Sequence, residues 1–380
     1  MRPHPGSRRF GSMCVVVISV ITLLACAPAE PPAPAEPEAE NAPEISDALA
    51  PKTTDADAVT KQLHTTTLCT TDLETIEAFY GDGLGLQITG PMELTPEVRE
   101  IQRALWGIPE DIGWQLYLME RPAVPATIQV RVLLLDRETP SIHTTWNPEE
   151  PGPFSMGFPT EDLETWDPEL RAKGWVSLMP MSSYQIPRPD GTTYGIQETI
   201  FNAPDFMHAV TISRRDGMPQ LGPVDPATGR GGPIYSAHII ENSDAVLEFY
   251  VDVLGLELRS DRQFKSSGSK GALGVPDGTE FRFSIVYAHG ATFGHLLFLD
   301  YQGRLGLPSP GIAWRPPNRG MAMWSFPVRD MDEIAQRLAD AGIEPFSAPV
   351  EYESPSLGRH TSMTVVDPSG FMVELFQTVE

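Results

Sequence analysis

Only three cysteines occur in the chain: Cys14, Cys26 and Cys69. Two of them fall in the first 26 residues, so the folded part keeps one thiol and cannot close an internal disulfide. Cys69 therefore reads as a small buried apolar residue, with a catalytic thiol as the minor alternative. Basic residues are scarce as well, 27 Lys and Arg against 51 Asp and Glu, for a formal net charge of −24. No Lys/Arg cluster interrupts that acidic surface, which argues against nucleic acid as a partner. The apolar run from Met13 to Ala25 is too short to span a bilayer. From Ala27 to about Val59 large apolar residues are nearly missing and Ala, Pro and Glu dominate. Such a segment cannot offset its ordering entropy by burial and reads as a disordered, extended tether.

What the amino terminus does contain is a graded signal. Arg2, Arg8 and Arg9 form a basic region, the apolar run follows, and Leu23-Leu24-Ala25-Cys26 closes it with Ala27 next. This resembles the signal peptide and lipobox of bacterial lipoproteins. The resemblance implies a signal over residues 1–26, lipidation at Cys26 and a tether over 27–60. It also implies a mature protein held in the cell envelope by its lipid, facing the periplasm or the outside. Ala27, in place of an aspartate, points to the outer membrane.

About 320 residues remain, room for two domains of ordinary size, and they contain a repeat. Ala78-Phe79-Tyr80-Gly81-Asp82-Gly83-Leu84-Gly85-Leu86 returns as Glu248-Phe249-Tyr250-Val251-Asp252-Val253-Leu254-Gly255-Leu256. Ala104-Leu105-Trp106-Gly107-Ile108-Pro109 is echoed by Ala272-Leu273-Gly274-Val275-Pro276, and Val132 to Asp136 by Leu296 to Asp300. Each copy reads as strand, helix, strand, polar loop and two strands. Thr71 or Asp72 can cap the first helix, with Glu74 reaching back to Thr71. Leu73, Ile76, Phe79 and Tyr80 then share a face, and Gly85 stops the helix.

Two further units have the same shape. Leu163, Trp166 and Leu170 line one helical face despite Pro168. Met331, Ile334 and Leu338 line another, with Asp330 as cap and Gly342 as stop. Asp216 to Gly232, rich in Gly and Pro, reads as the linker between halves. The expected class is α+β, with four βαβββ modules paired into domains at 61–215 and 233–380.

A module carrying Phe-Tyr-x-Asp-x-Leu-Gly-Leu, together with the ending Asp367-Pro368-Ser369-Gly370-Phe371-Met372-Val373-Glu374-Leu375-Phe376, resembles the vicinal oxygen chelate superfamily. That superfamily includes glyoxalase I, bleomycin-resistance proteins and extradiol dioxygenases. The resemblance implies that paired modules enclose a cleft, where a divalent metal is held by first-strand and last-strand residues. The implied positions here are Thr65 and Leu133, Ser155 and Val210, Tyr235 and Leu297, Met323 and Glu374. Only Glu374 is a suitable ligand type, so no metal is expected and a divalent metal stays the alternative.

Glu374 is the expected catalytic residue, an unpartnered cleft carboxylate with a raised pKa serving as general base. Tyr235, His295, Met323 and Trp324 are the expected ligand-binding residues. His295 lies on the strand face of Leu297, and His208 on that of Val210, so a shifted metal site of His295, Glu374 and Tyr235 is the rival arrangement. His64 and His238 read as structural.

The expected function is an envelope-anchored, glyoxalase-like protein binding a small, largely apolar molecule without the family's metal. The alternatives are a metal-dependent lyase, isomerase or dioxygenase, and a lipid-tethered interaction scaffold.

Overall fold

The computed structural model describes residues 49–187, 191–266, 273, 275–302 and 311–379. The signal sequence, Cys26 and most of the tether lie outside the described residues.

Four modules follow one another in the expected order. The first has β1 (Thr65–Thr70), α1 (Leu73–Ile76), β2 (Gln87–Thr89), α2 (Pro96–Trp106), β3 (Trp114–Glu120) and β4 (Gln129–Leu135). The second has β5 (Gly152–Pro159), α3 (Leu163–Ala172), β6 (Ser182–Pro187), β7 (Thr193–Asn202) and β8 (His208–Arg214). The third has β9 (Tyr235–Ile240), α4 (Ser243–Leu247), β10 (Glu257–Lys265), β11 (Glu280–Tyr287) and β12 (His295–Asp300). The fourth has β13 (Gly320–Pro327), α5 (Met331–Asp340), β14 (Ser347–Ser354), β15 (Gly358–Val366) and β16 (Met372–Thr378).

The repeated motif is the end of a short helix. Asp72, and not Thr71, caps α1 by accepting from Thr75 N at 3.0 Å, and Asn242 takes that place before α4. Both helices then widen into a π turn, Glu77–Gly83 and Glu248–Val253, which buries Phe79 and Tyr80, and Phe249 and Tyr250. Gly85 and Gly255 follow with φ of +79° and +72°, where a β-carbon would be strained. In α3 and α5 the residues expected on the core face, Leu163, Trp166 and Leu170, and Met331, Ile334 and Leu338, are buried.

The sheets join modules across the two halves, a pairing that the sequence leaves open. Their strand orders are β14-β15-β16-β13-β1-β4-β3-β2 and β10-β11-β12-β9-β5-β8-β7-β6. The first module thus pairs with the fourth through antiparallel β1 and β13, and the second with the third through β5 and β9. Segments 61–215 and 233–380 each contain two modules, but neither builds a sheet of its own, and the folded part is one unit. Each module offers its first strand as an edge, and the alternation of side chains along that edge fits either neighbour.

Specific contacts decide the pairing. Tyr235 lies against Gly157, where a β-carbon would stand 1.9 Å from the ring, so only glycine admits this crossing. Within each half the modules meet through the repeated aromatics. Phe79 packs edge-on to Trp175 at 4.7 Å, and Tyr250 donates to Asp367 at 2.9 Å.

Candidate functional site

In each sheet, strand alternation defines the face on which the family resemblance puts a cleft. On the first sheet that face carries Thr65, Thr67, Arg131, Met323, Ser325 and Glu374. Thr67 stands beside Arg131 in the same way that Ser325 stands beside Glu374. Arg131, two residues before the expected Leu133, is therefore the counterpart of Glu374 across the module pair.

The two meet. Arg131 Nη1 donates to Glu374 Oε2 at 2.9 Å, Ser325 Oγ to the same oxygen at 2.6 Å, and Trp106 Nε1 to Oε1 at 3.1 Å. The Arg131 guanidinium also lies over the Trp106 ring at 4.9 Å. The side chains of Glu374 and Arg131 are 0 % and 3 % exposed. Burial pushes the Glu374 carboxyl upward, but Arg131 and the donors from Ser325 and Trp106 outweigh it and hold the pKa below the usual glutamate value. The expectation of an unpartnered base with a raised pKa is thus corrected on both counts.

A helix closes this face. The stretch from Met92 to Arg103 has no family counterpart in sequence, yet it contains most of α2. Thr95 caps it, accepting from Val98 N at 3.2 Å, Pro96 opens it, and Gly107 ends it at φ +66°. Its buried residues Gln102, Leu105 and Trp106 lie on β14 and β15, and Thr364 Oγ1 donates to Leu105 O at 2.6 Å.

The residues present on the first sheet do not fit the family's metal. A guanidinium, which has donors only and no lone pair to offer, already neutralises the single carboxylate among the four positions. The second sheet offers Ser155, Val210, Tyr235 and Leu297 at those positions, two of them carbon side chains. Among the described residues no group of three or more His, Cys, Asp or Glu is placed to hold a metal ion. The rival arrangement of His295, Glu374 and Tyr235 is broken by topology, because Glu374 belongs to the first sheet and the other two to the second.

The second sheet differs in character. Tyr235 and His295 come together, ring centroids 5.1 Å apart, and His295 stacks on Tyr287 at 4.3 Å. Burial, with Arg214 and Arg259 adding to it, pushes the His295 pKa down to about 3 and keeps the ring neutral. Leu297, Phe283 and Tyr184 on this face keep partial exposure, unlike the sealed centre of the first sheet. Between them lies Glu198 of β7, 9 % exposed, accepting from Tyr184 Oη at 3.1 Å. Burial raises its pKa to about 7, against the opposing Tyr184 hydrogen bond.

The expected ligand-binding set is therefore divided. Met323 is buried opposite Thr67 on the closed face. Trp324, one residue on, turns to the other side of its sheet, where it stacks on His238 at 3.8 Å and donates to Ser236 Oγ at 3.0 Å. Sequence reasoning passed over Arg131 and Glu198. Both left a signal, a single charge between apolar neighbours: Val130-Arg131-Val132 along the chain, and Ile196, Glu198 and Ile200 at alternate positions of one strand.

Comparison with known proteins agrees with this architecture. The family model described as Glyoxalase/Bleomycin resistance protein/Dioxygenase superfamily matches residues 237–375. A point mutant of glyoxalase I from Zea mays superposes with a TM-score of 0.53 at 14% identity, covering 85% of this chain and 95% of that one. Another crystal structure of the Zea mays enzyme gives a TM-score of 0.51 at 13% identity, over 85% and 94% of the two chains. A candidate dioxygenase from Bacillus subtilis subsp. subtilis str. 168 gives 0.50 at 12% identity, over 85% and 87%. No curated protein matches the chain by sequence. At these identities the solved structures speak for the fold, and the family model speaks for the sequence of the last two modules. The match over residues 237–375 gives the last two modules the sequence of the glyoxalase/bleomycin resistance/dioxygenase, or vicinal oxygen chelate, superfamily, and four βαβββ modules in two eight-stranded sheets give the chain the fold of glyoxalase I.

Proposed function

We propose that this protein is an envelope-anchored member of the superfamily that binds a small, largely apolar molecule on the second sheet, without the family's metal. The observation that carries this reading is the contrast between the two faces. On the first sheet the family's position is filled by the Arg131–Glu374 pair and covered by α2. On the second, the partly exposed Leu297, Phe283 and Tyr184 share a face with Glu198, a buried carboxylate bonded to a phenol, the mix of apolar wall and few polar groups that small-molecule sites use. Glu374 is then a structural charge, and Tyr235 and His295 are wall residues of the working site.

Metal analysis of the purified protein tests the metal-free reading. The expected result is no stoichiometric divalent ion and an unchanged melting temperature in chelator. A bound ion released by Glu374→Gln would overturn it. The anchor rests on Cys26 and its flanking sequence. Labelling cells with a fatty-acid probe should mark the wild-type protein and leave Cys26→Ala unmarked, and equal labelling of both would remove the anchor from the proposal.

A further inference from the structure

Both sheets bury carboxylates on the cleft face, and all but one have a cation of their own: on the second sheet Glu257 of β10, opposite Tyr287, has Arg259 at 2.9 Å. Glu374 has Arg131 at 2.9 Å. Glu198 has a neutral phenol, Tyr184, and among the described residues no Arg, Lys or His is bonded to it. An ionised carboxylate out of water without a counter-charge is costly, and a fold that keeps one there leaves room for the charge to arrive from outside. The surroundings fit such an arrival. Glu198 lies close enough to Tyr184 and Tyr235 to raise both phenols further, beyond the larger effect of their burial, and Tyr184 also senses Tyr194. Phenol rings attract cations through their faces, and a carboxylate behind them adds a charge-assisted hydrogen bond.

We propose that the site on the second sheet recognises an organic cation, an apolar molecule bearing a protonated or quaternary amine, with Glu198 as its counter-charge and Tyr184 and Tyr235 as its aromatic wall. This rests on the reading of the second sheet as the binding face. Sheet position turns Glu198 to that face: it pairs with Ile212 of β8, and it lies two residues along β7 from Ile196, the partner of Tyr184 on β6.

The test is calorimetric titration of the full chain at pH 8 with 4-phenylbutylammonium and with the matched neutral alcohol, 4-phenylbutan-1-ol. The ammonium should bind at least about tenfold more tightly, the scale of one charge-assisted bond. Glu198→Gln should erase that preference while leaving affinity for the alcohol unchanged, and Tyr184→Phe should weaken the ammonium less than Glu198→Gln does. Equal binding of alcohol and ammonium to the wild type would overturn the cation proposal and leave the binding face standing. Binding of neither compound would overturn both. An ammonium preference that survives in Glu198→Gln would overturn the role of Glu198.

Discussion

Arg131 and Glu374 set the character of the first sheet with two side chains. The pair has 2.9 Å geometry, a hydroxyl and an indole as further donors, and almost no exposure. Removing one partner leaves the other charged and buried, which costs about 3–5 kcal/mol, whereas replacing both with apolar groups of similar size costs far less. Arg131→Met and Glu374→Leu should therefore each lower the unfolding free energy by about that amount, and the double variant should lose less than the sum. Urea denaturation of the four proteins measures this. Additive losses would show that the two side chains act independently. At this same scale the sequence is readable in part: Glu374 stands out by its strand position, but its partner 243 residues earlier does not. Nothing local links an arginine in β4 to a glutamate in β16, and the pKa direction of the glutamate depends on that partner and on the donors from Ser325 and Trp106.

Among the elements, the helices are the legible part. Caps, apolar spacing and stop glycines lie within one or two turns, so Asp162, Asn242, Asp330, Gly85 and Gly255 announce their roles locally. Helix α2 carries the same signals, Thr95-Pro96 at its start and Gly107 at its end, but it has no place in the family pattern, which makes its segment look like loop. Strand partnership is not legible, since four similar edge strands can be joined in more than one way. One glycine makes the choice testable. At Gly157 a β-carbon would lie 1.9 Å from the Tyr235 ring, too close for any small adjustment. Gly157→Ala should displace Tyr235 and cost about 1–3 kcal/mol, as overpacking does. The paired variant Gly157→Ala/Tyr235→Phe should gain little back, because ring carbons make the clash, whereas adding Tyr235→Ala should relieve it. Thermal denaturation reads the difference, and a fully tolerated Gly157→Ala would mean that the β5–β9 crossing is looser than this packing.

For the whole molecule, buried histidines set the pH response. Burial lowers the pKa of His64, His208, His238, His295 and His360, with His208 and His295 pushed to about 3. The unfolded chain takes up protons at these groups below about pH 6.5 while the native state does not. Their contribution is complete above pH 6.5 and is lost as pH falls toward the native values, at about 1.4 kcal/mol per pH unit for each histidine held neutral. Glu198, raised to about 7, acts with the opposite sign between about pH 4.5 and 7, and Asp205 and Asp367, also raised by burial, act in the same sense as Glu198 at lower pH. Five groups outweigh one in the window from pH 6.5 to 5. The urea midpoint should fall across that window, and His208→Gln should flatten the slope. A midpoint that is constant or rises on acidification would show that these rings are solvated or charged in the native protein.

By itself the sequence determined the module: a short capped helix, its buried Phe-Tyr pair, a glycine stop, and strands that alternate apolar and polar residues. Those features follow from propensity, capping and side-chain periodicity, all of which act over a few residues. Tertiary structure alone decided which modules share a sheet, which face is sealed by a helix, and which carboxylate owns a cation. These are contacts across 49 to 268 residues, and their energies come from packing and from charge burial, which no stretch of local sequence contains.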